Sequence, residues 1–143
     1  MNIPEGFFAT LLLGHLLGDF VLQNKWMAMN KAASTWKCLV HCTVYTAAVT
    51  ALTWPFIHSG TWSLLIFLSH FPIDRWSLAD VWLRFINGRS LAEFLTKGKL
   101  GIPTEYDLEN YHALRAGFTS VVYTLTDSTF HLLLMFYGYL LLQ

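Results

Sequence analysis

FFATLLLGHLLGDFVL, residues 7–22, is an almost unbroken apolar run that carries His15 and Asp19 one helical turn apart. Apolar runs approaching twenty residues read as membrane-spanning helices. Comparable runs follow at residues 39–57, 61–75 and 118–142. The runs at 7–22 and 61–75 are short for a span, so each is expected to extend as helix into its polar flank. The one at 61–75 would continue along an interface through Trp76, Val81, Trp82 and Phe85. The expected fold is therefore all-α: a polytopic membrane protein, a bundle of about four transmembrane helices, forming one integral membrane domain over residues 1–143. Residues 87–117, rich in glycine and acids, would form a cytoplasmic loop. Short interfacial helices are expected there at Ser90–Thr96 and Leu108–Phe118.

Composition leads the same way. The chain is 55% hydrophobic and only 13% charged, against roughly a quarter charged in ordinary globular domains. Six Trp and six Tyr suit a protein with two membrane–water interfaces to line. Zero net charge gives no argument for a nucleic-acid partner. The only cysteines, Cys38 and Cys42, lie one turn apart, where a bridge would constrain almost nothing, so free thiols are expected. The N-terminal residues lack the basic start and the cleavage site of a signal peptide.

The nine basic residues fall in two segments. Lys25, Lys31 and Lys37 separate the first two apolar runs; Arg75, Arg84, Arg89, Lys97, Lys99 and Arg115 separate the last two. Under the positive-inside rule both segments are cytoplasmic and both termini lie outside. The expected location is a bacterial inner membrane, crossed several times.

Three acids interrupt the apolar runs, each four residues from a histidine: His15 with Asp19, His70 with Asp74, and Asp127 with His131. Four residues is one turn, so each pair projects from one helix face. With alternating span directions, each Asp lies nearer the cytoplasm and each His about 6 Å further out. The pairs would then stack as a carboxylate layer and an imidazole layer. His41, with Tyr45 one turn on, adds a fourth histidine. Each buried carboxylate costs about 2.5–3.5 kcal/mol in a bilayer, so a countercharge is required. No Lys or Arg lies well inside an apolar run, which leaves protonated histidines or a metal. His15, Asp19, His41, His70, Asp74, Asp127 and His131 together suit one or two Zn, Mn or Fe dications. Gly14 and Gly18 would permit close helix approach, and Pro72 should kink its helix. His–Asp pairs acting only as hydrogen-bonded glue between helices are the alternative. His58 and His112 are expected to be ordinary loop residues. Lys25, Lys31 or Arg75 could hold a phosphate at the cytoplasmic mouth.

His15-Leu-Leu-Gly-Asp-Phe20 followed by Gln23, Met27-Ala28 with Asn30-Lys31, His41 with Tyr45, and Ser69-His70-Phe71 with Ile73-Asp74 resemble the family called domain of unknown function 3307. That resemblance implies a small bacterial or phage integral-membrane protein without an assigned reaction. A looser resemblance, at the level of architecture, is to membrane-bound metal-dependent hydrolases.

The functional expectation is an intramembrane metal-dependent hydrolase, acting from the cytoplasmic side on a membrane lipid or lipid-linked ester. Asp19, Asp74 and Asp127 would be its catalytic carboxylates, one of them a general base beside a metal-activated water. A metal or proton transporter or channel is a second reading. A non-catalytic membrane scaffold, with a homo-oligomer left open, is a third. No nucleic-acid partner is expected.

Overall fold

In the computed structural model the backbone is described for residues 3–87 and 105–142, and side chains for residues 3–86 and 117–142. The described elements are helical: α1 Phe7–Leu16, a π-helical turn Leu17–Val21, α2 Lys25–Ala28, α3 Thr35–Thr53, α4 Gly60–Arg75, α5 Leu78–Asn87 and α6 Glu105–Leu141. The expected helix at Ser90–Thr96 lies outside the described residues. Leu108–Phe118 is part of α6 rather than a short separate helix. α4 is assigned as continuous helix through Pro72.

Among the described residues no helix is long and apolar enough to cross a membrane. This corrects the reading of four transmembrane helices. Although residues 7–22 are apolar, α1 ends after 10 residues, about 15 Å of rise, and α4 has 16 residues, about 24 Å. A hydrocarbon core is about 30 Å thick. α3 and α6 are longer. However, Lys37, His41 and five threonines dilute α3, and Thr124, Thr126, Asp127, Ser128 and Thr129 interrupt α6. The inner-membrane location, the cytoplasmic loop and the external termini were all built on those spans. They fall with them, and so does the membrane-lipid partner. The basic segments are then no longer topology signals.

The chain divides into two compact units. The first comprises residues 1–77 and 129–143, the second residues 78–128. In the first, Phe7, Leu11, Tyr45, Val49, Ile57, Trp62, Ile66, Met135 and Tyr139 form a buried core. Phe7 stacks on Tyr139 with ring centres 3.9 Å apart. Trp62 donates its indole N–H to Thr53 at 2.9 Å, so the polar edge of a fully buried ring is satisfied. The outward sides of these helices keep Phe8, Leu13, Phe20, Leu64 and Leu68 more than half exposed. The high apolar content is thus divided between interior and surface.

Two glycines set the distance between α1 and α3. A Cβ on Gly14 would stand 3.0 Å from Val49 Cα, and one on Gly18 only 2.6 Å from the Tyr45 ring. The close approach expected of this pair is therefore made against α3. In the second unit, Ala79 and Leu83 are buried one turn apart on α5, while Arg84 pairs with Asp80 at 3.1 Å on the outside.

Candidate metal centre

Asp19 owes its position to the π-helical turn. There Leu22 N–H reaches back five residues to the Leu17 carbonyl at 2.9 Å, widening the helix and turning the Asp19 side chain inward. Gln23 donates to the Asp19 carbonyl at 2.8 Å and holds the end of the turn. His15 comes from the last turn of α1, and His41 and Tyr45 from consecutive turns of α3. His70 and Asp74 come from the end of α4, and His131 from the part of α6 in the first unit. All are buried: His15 and His41 are fully covered, and Asp19 is the most exposed of the acids and imidazoles at 5%.

The centre of the cluster is His41. Its Nε2 lies 3.1 Å from Asp19 Oδ1, 2.9 Å from Asp74 Oδ2 and 3.0 Å from His70 Nε2. His70 Nε2 is in turn 3.0 Å from Asp74 Oδ2 and 3.8 Å from Asp19 Oδ1. A single N–H can serve one of three such neighbours well, so hydrogen bonding alone cannot saturate this arrangement. Donor separations of this size are also the edges of a coordination polyhedron. Ligands about 2.0–2.1 Å from an ion stand about 3.3 Å apart when tetrahedral and about 2.9 Å apart when octahedral. Donor atoms of Asp19, His41, His70 and Asp74 all lie within 4.8 Å of one another, as do those of His15, Asp19 and His131. These buried His/Asp clusters have the capacity to coordinate a divalent metal.

Lys31 supplies the fixed countercharge that the apolar runs lack. It follows α2, and its Nζ lies 2.9 Å from Asp74 Oδ1 and 3.9 Å from Asp19 Oδ1. The loop that carries it is pinned on both sides. Lys37 donates to Asn30 at 2.7 Å, and Arg75 donates to the Ala32 carbonyl and to Thr35. Lys31 therefore faces both carboxylates.

Burial pushes the Asp19 carboxyl upward, but the His41 hydrogen bond and the charges of His70, His131 and Lys31 outweigh it and hold the group ionised. Asp74 is likewise held well below the usual carboxylate range, with burial opposed chiefly by His70 and His41. Burial lowers His41, yet its hydrogen bonds to Asp19 and Asp74 prevail and raise it. Burial pushes His131 down to about 3, aided by the neighbouring His70, and lowers His15 as well.

Tyr45 is the residue whose part the sequence did not disclose. Its ring stacks on His70 with centres 3.6 Å apart, and its hydroxyl lies 2.9 Å from His15 Nδ1 and 3.5 Å from the Met135 sulfur. The one-turn spacing from His41 was the available signal. His41 stands between the carboxylates of Asp19 and Asp74. Asp127, buried and one turn before His131 on α6, falls in the second unit. His58 is an exposed residue packed edge-on against Trp54, and the His112 side chain lies outside the described residues. Cys38 and Cys42 are buried free thiols 3.8 Å apart, and burial raises both above the ordinary thiol range.

The intramembrane hydrolase, the membrane transporter or channel and the membrane scaffold all require helices that cross a bilayer. None of the described helices does so, and these readings are withdrawn. A family profile described as "Protein of unknown function (DUF3307)" matches residues 7–139. The integral-membrane character attached to that resemblance does not follow from the structure. No curated protein and no solved structure matches the chain.

Proposed function

The chain belongs to the DUF3307 family, whose description states no reaction, and we propose from the site's geometry that it is a divalent-metal-binding protein. The ion is held by Asp19, His41, His70 and Asp74. The observation that carries this reading is the triple approach to His41 Nε2, with two carboxylate oxygens and a second imidazole nitrogen all within 3.1 Å. Two imidazoles and two carboxylates suit Zn, Mn or Fe(II). Neither buried thiol belongs to the set, because Cys38 and Cys42 face one another and are held protonated.

The charges support the same ligand set. Two carboxylates and the Lys31 ammonium leave one net negative charge before any proton on the histidines is counted, and a dication held by neutral imidazoles turns this into one net positive charge. When bound, such an ion polarises an oxygen ligand or acidifies a coordinated water. Asp19 and Asp74 serve as ligands here rather than as a general base. Tyr45 holds the His70 ring by stacking, and Gln23 holds the turn that presents Asp19.

Metal analysis of the purified full-length chain, before and after dialysis against a chelator, tests the reading. At least one tightly held equivalent of transition metal is expected, removed by chelator and restored by Zn²⁺ or Mn²⁺. His70→Ala should lower affinity at least tenfold, whereas His58→Ala should not change it. Protein that takes up no metal at any pH at which it stays folded would leave the cluster as a hydrogen-bonded network and overturn the proposal.

A further inference from the structure

The two oxygens of Asp19 face different histidines. Oδ1 turns to His41, 3.1 Å away, while Oδ2 turns to His15, 3.3 Å from its Nδ1. On this second side, donor atoms of His15, Asp19 and His131 lie within 4.8 Å of one another, and all three residues are buried. The His15 and His131 rings lie nearly parallel, with centres 5.5 Å apart.

The polar contacts of His15 are gathered on one of its two ring nitrogens. The Tyr45 hydroxyl donates to the Met135 sulfur at 3.5 Å. The same hydroxyl lies 2.9 Å from His15 Nδ1, and Asp19 Oδ2 stands 3.3 Å from that nitrogen. Nδ1 is thus partnered on two sides, whereas the buried His15 Nε2 has no hydrogen-bond partner among the described residues. A ligating histidine is commonly arranged so, with one nitrogen fixed by an outer acceptor and the other presented to the ion. A buried imidazole nitrogen without a partner is otherwise a cost to the fold.

We propose that Asp19 is a bridging carboxylate in a two-metal centre, with the second ion held by His15, Asp19 and His131. This rests on the single-ion reading above and extends it. Three protein ligands leave the second ion open positions, which distinguishes it from the four-donor site. Tyr45 is the positioning residue shared by the two halves, since it orients His15 through its hydroxyl and packs on His70 through its ring.

The test is a Mn²⁺ titration of chelator-stripped, full-length protein, read by equilibrium dialysis and by low-temperature electron paramagnetic resonance. Two equivalents are expected, with a simple six-line signal at low loading replaced by a spin-coupled spectrum at full loading. His131→Gln should bind one equivalent and keep the six-line signal throughout. One equivalent in the native protein, at Mn²⁺ concentrations a hundredfold above the first dissociation constant, would overturn the two-metal centre and leave the single-ion reading standing. Two equivalents without spin coupling would overturn the Asp19 bridge. No binding at all would overturn both readings. The native protein alone decides among these outcomes, so the result does not depend on how well His131→Gln folds.

Discussion

The Nε2 atoms of His41 and His70 face each other across 3.0 Å, although the residues come from different helices and lie 29 positions apart. Each nitrogen also meets Asp74 Oδ2, at 2.9 and 3.0 Å. Two imidazole nitrogens directed at one carboxylate oxygen and at each other compete for the same protons, and a shared cation relieves that competition.

Lys31 is the group expected to contend with a metal. Lys31→Met removes the ammonium 2.9 Å from Asp74, leaving two carboxylates to be balanced by histidines alone. The metal-free protein should lose about 2 kcal/mol of stability, while affinity for Zn²⁺ rises about tenfold. Thermal unfolding with and without metal, together with a competition titration, checks both. Unchanged affinity would show that Lys31 does not share the site's electrostatics.

Glycine packing between α1 and α3 can be tested by a graded series. Gly18→Ala places a Cβ 2.6 Å from the Tyr45 ring, which is itself stacked on His70 and cannot swing aside. It should cost about 1–3 kcal/mol and weaken metal binding as Asp19 is displaced. Gly138→Ala meets the end of the Leu65 side chain and should cost less. Gly60→Ala meets nothing within 4 Å and should leave the unfolding midpoint unchanged. A Gly18→Ala protein with native stability would refute the packing described.

Tyr45→Phe separates the ring from the hydroxyl. Stacking on His70 survives, while the hydroxyl partner of His15 Nδ1 is lost. Loss of such an outer partner typically costs 10–100-fold in metal affinity. Here it should fall on the second equivalent, leaving the first within about twofold. Equal weakening of both equivalents would show that the hydroxyl is not specific to His15.

Stability of the metal-free protein should fall as pH drops from 7 to 4. His131 takes up its proton only near pH 3 when folded, whereas the unfolded chain does so near 6.5, so its contribution is lost as pH falls between those values. His15, also lowered, acts in the same direction. Asp19 and Asp74 are depressed, so their contribution is present above about pH 4 and is lost as pH falls through their folded values. His41, raised, works oppositely: its contribution is complete below about 6.5 and fades as pH rises through its folded value. Urea midpoints across this range measure the balance, and His131→Gln should flatten the fall. A midpoint that rises toward pH 4 would contradict the assignment of His131 as neutral.

Much of the helical layout is legible because an apolar run and a helix share a local cause. The runs at 39–57 and 61–75 lie close to Thr35–Thr53 and Gly60–Arg75. The run at 7–22 becomes two kinds of helix, and the stretch expected to continue through Trp76 to Phe85 instead breaks at a turn at Ser77, where φ is +48°, before α5 begins at Leu78. Where a helix stops depends on its caps and on what it packs against, and apolar content does not report these. The membrane reading failed at this step. Apolar residues were counted as though all lay on one uninterrupted span, whereas α1 passes into a π-helical turn after Leu16.

The sequence by itself determined the chemistry available to this protein. His15 with Asp19 and His70 with Asp74 are one turn apart, and helical geometry alone places each pair on one face. The glycines at 14 and 18 already marked a surface for close approach. Only the tertiary structure decided which pairs meet. It set His41 between Asp19 and Asp74, folded Lys31 back onto both carboxylates, and left Asp127 to the second unit. The reason is that spacing along a helix follows from a rotation per residue common to all helices. Contact between helices depends instead on interlocking side-chain volumes, such as the Tyr45 ring against Gly18, which no local pattern encodes.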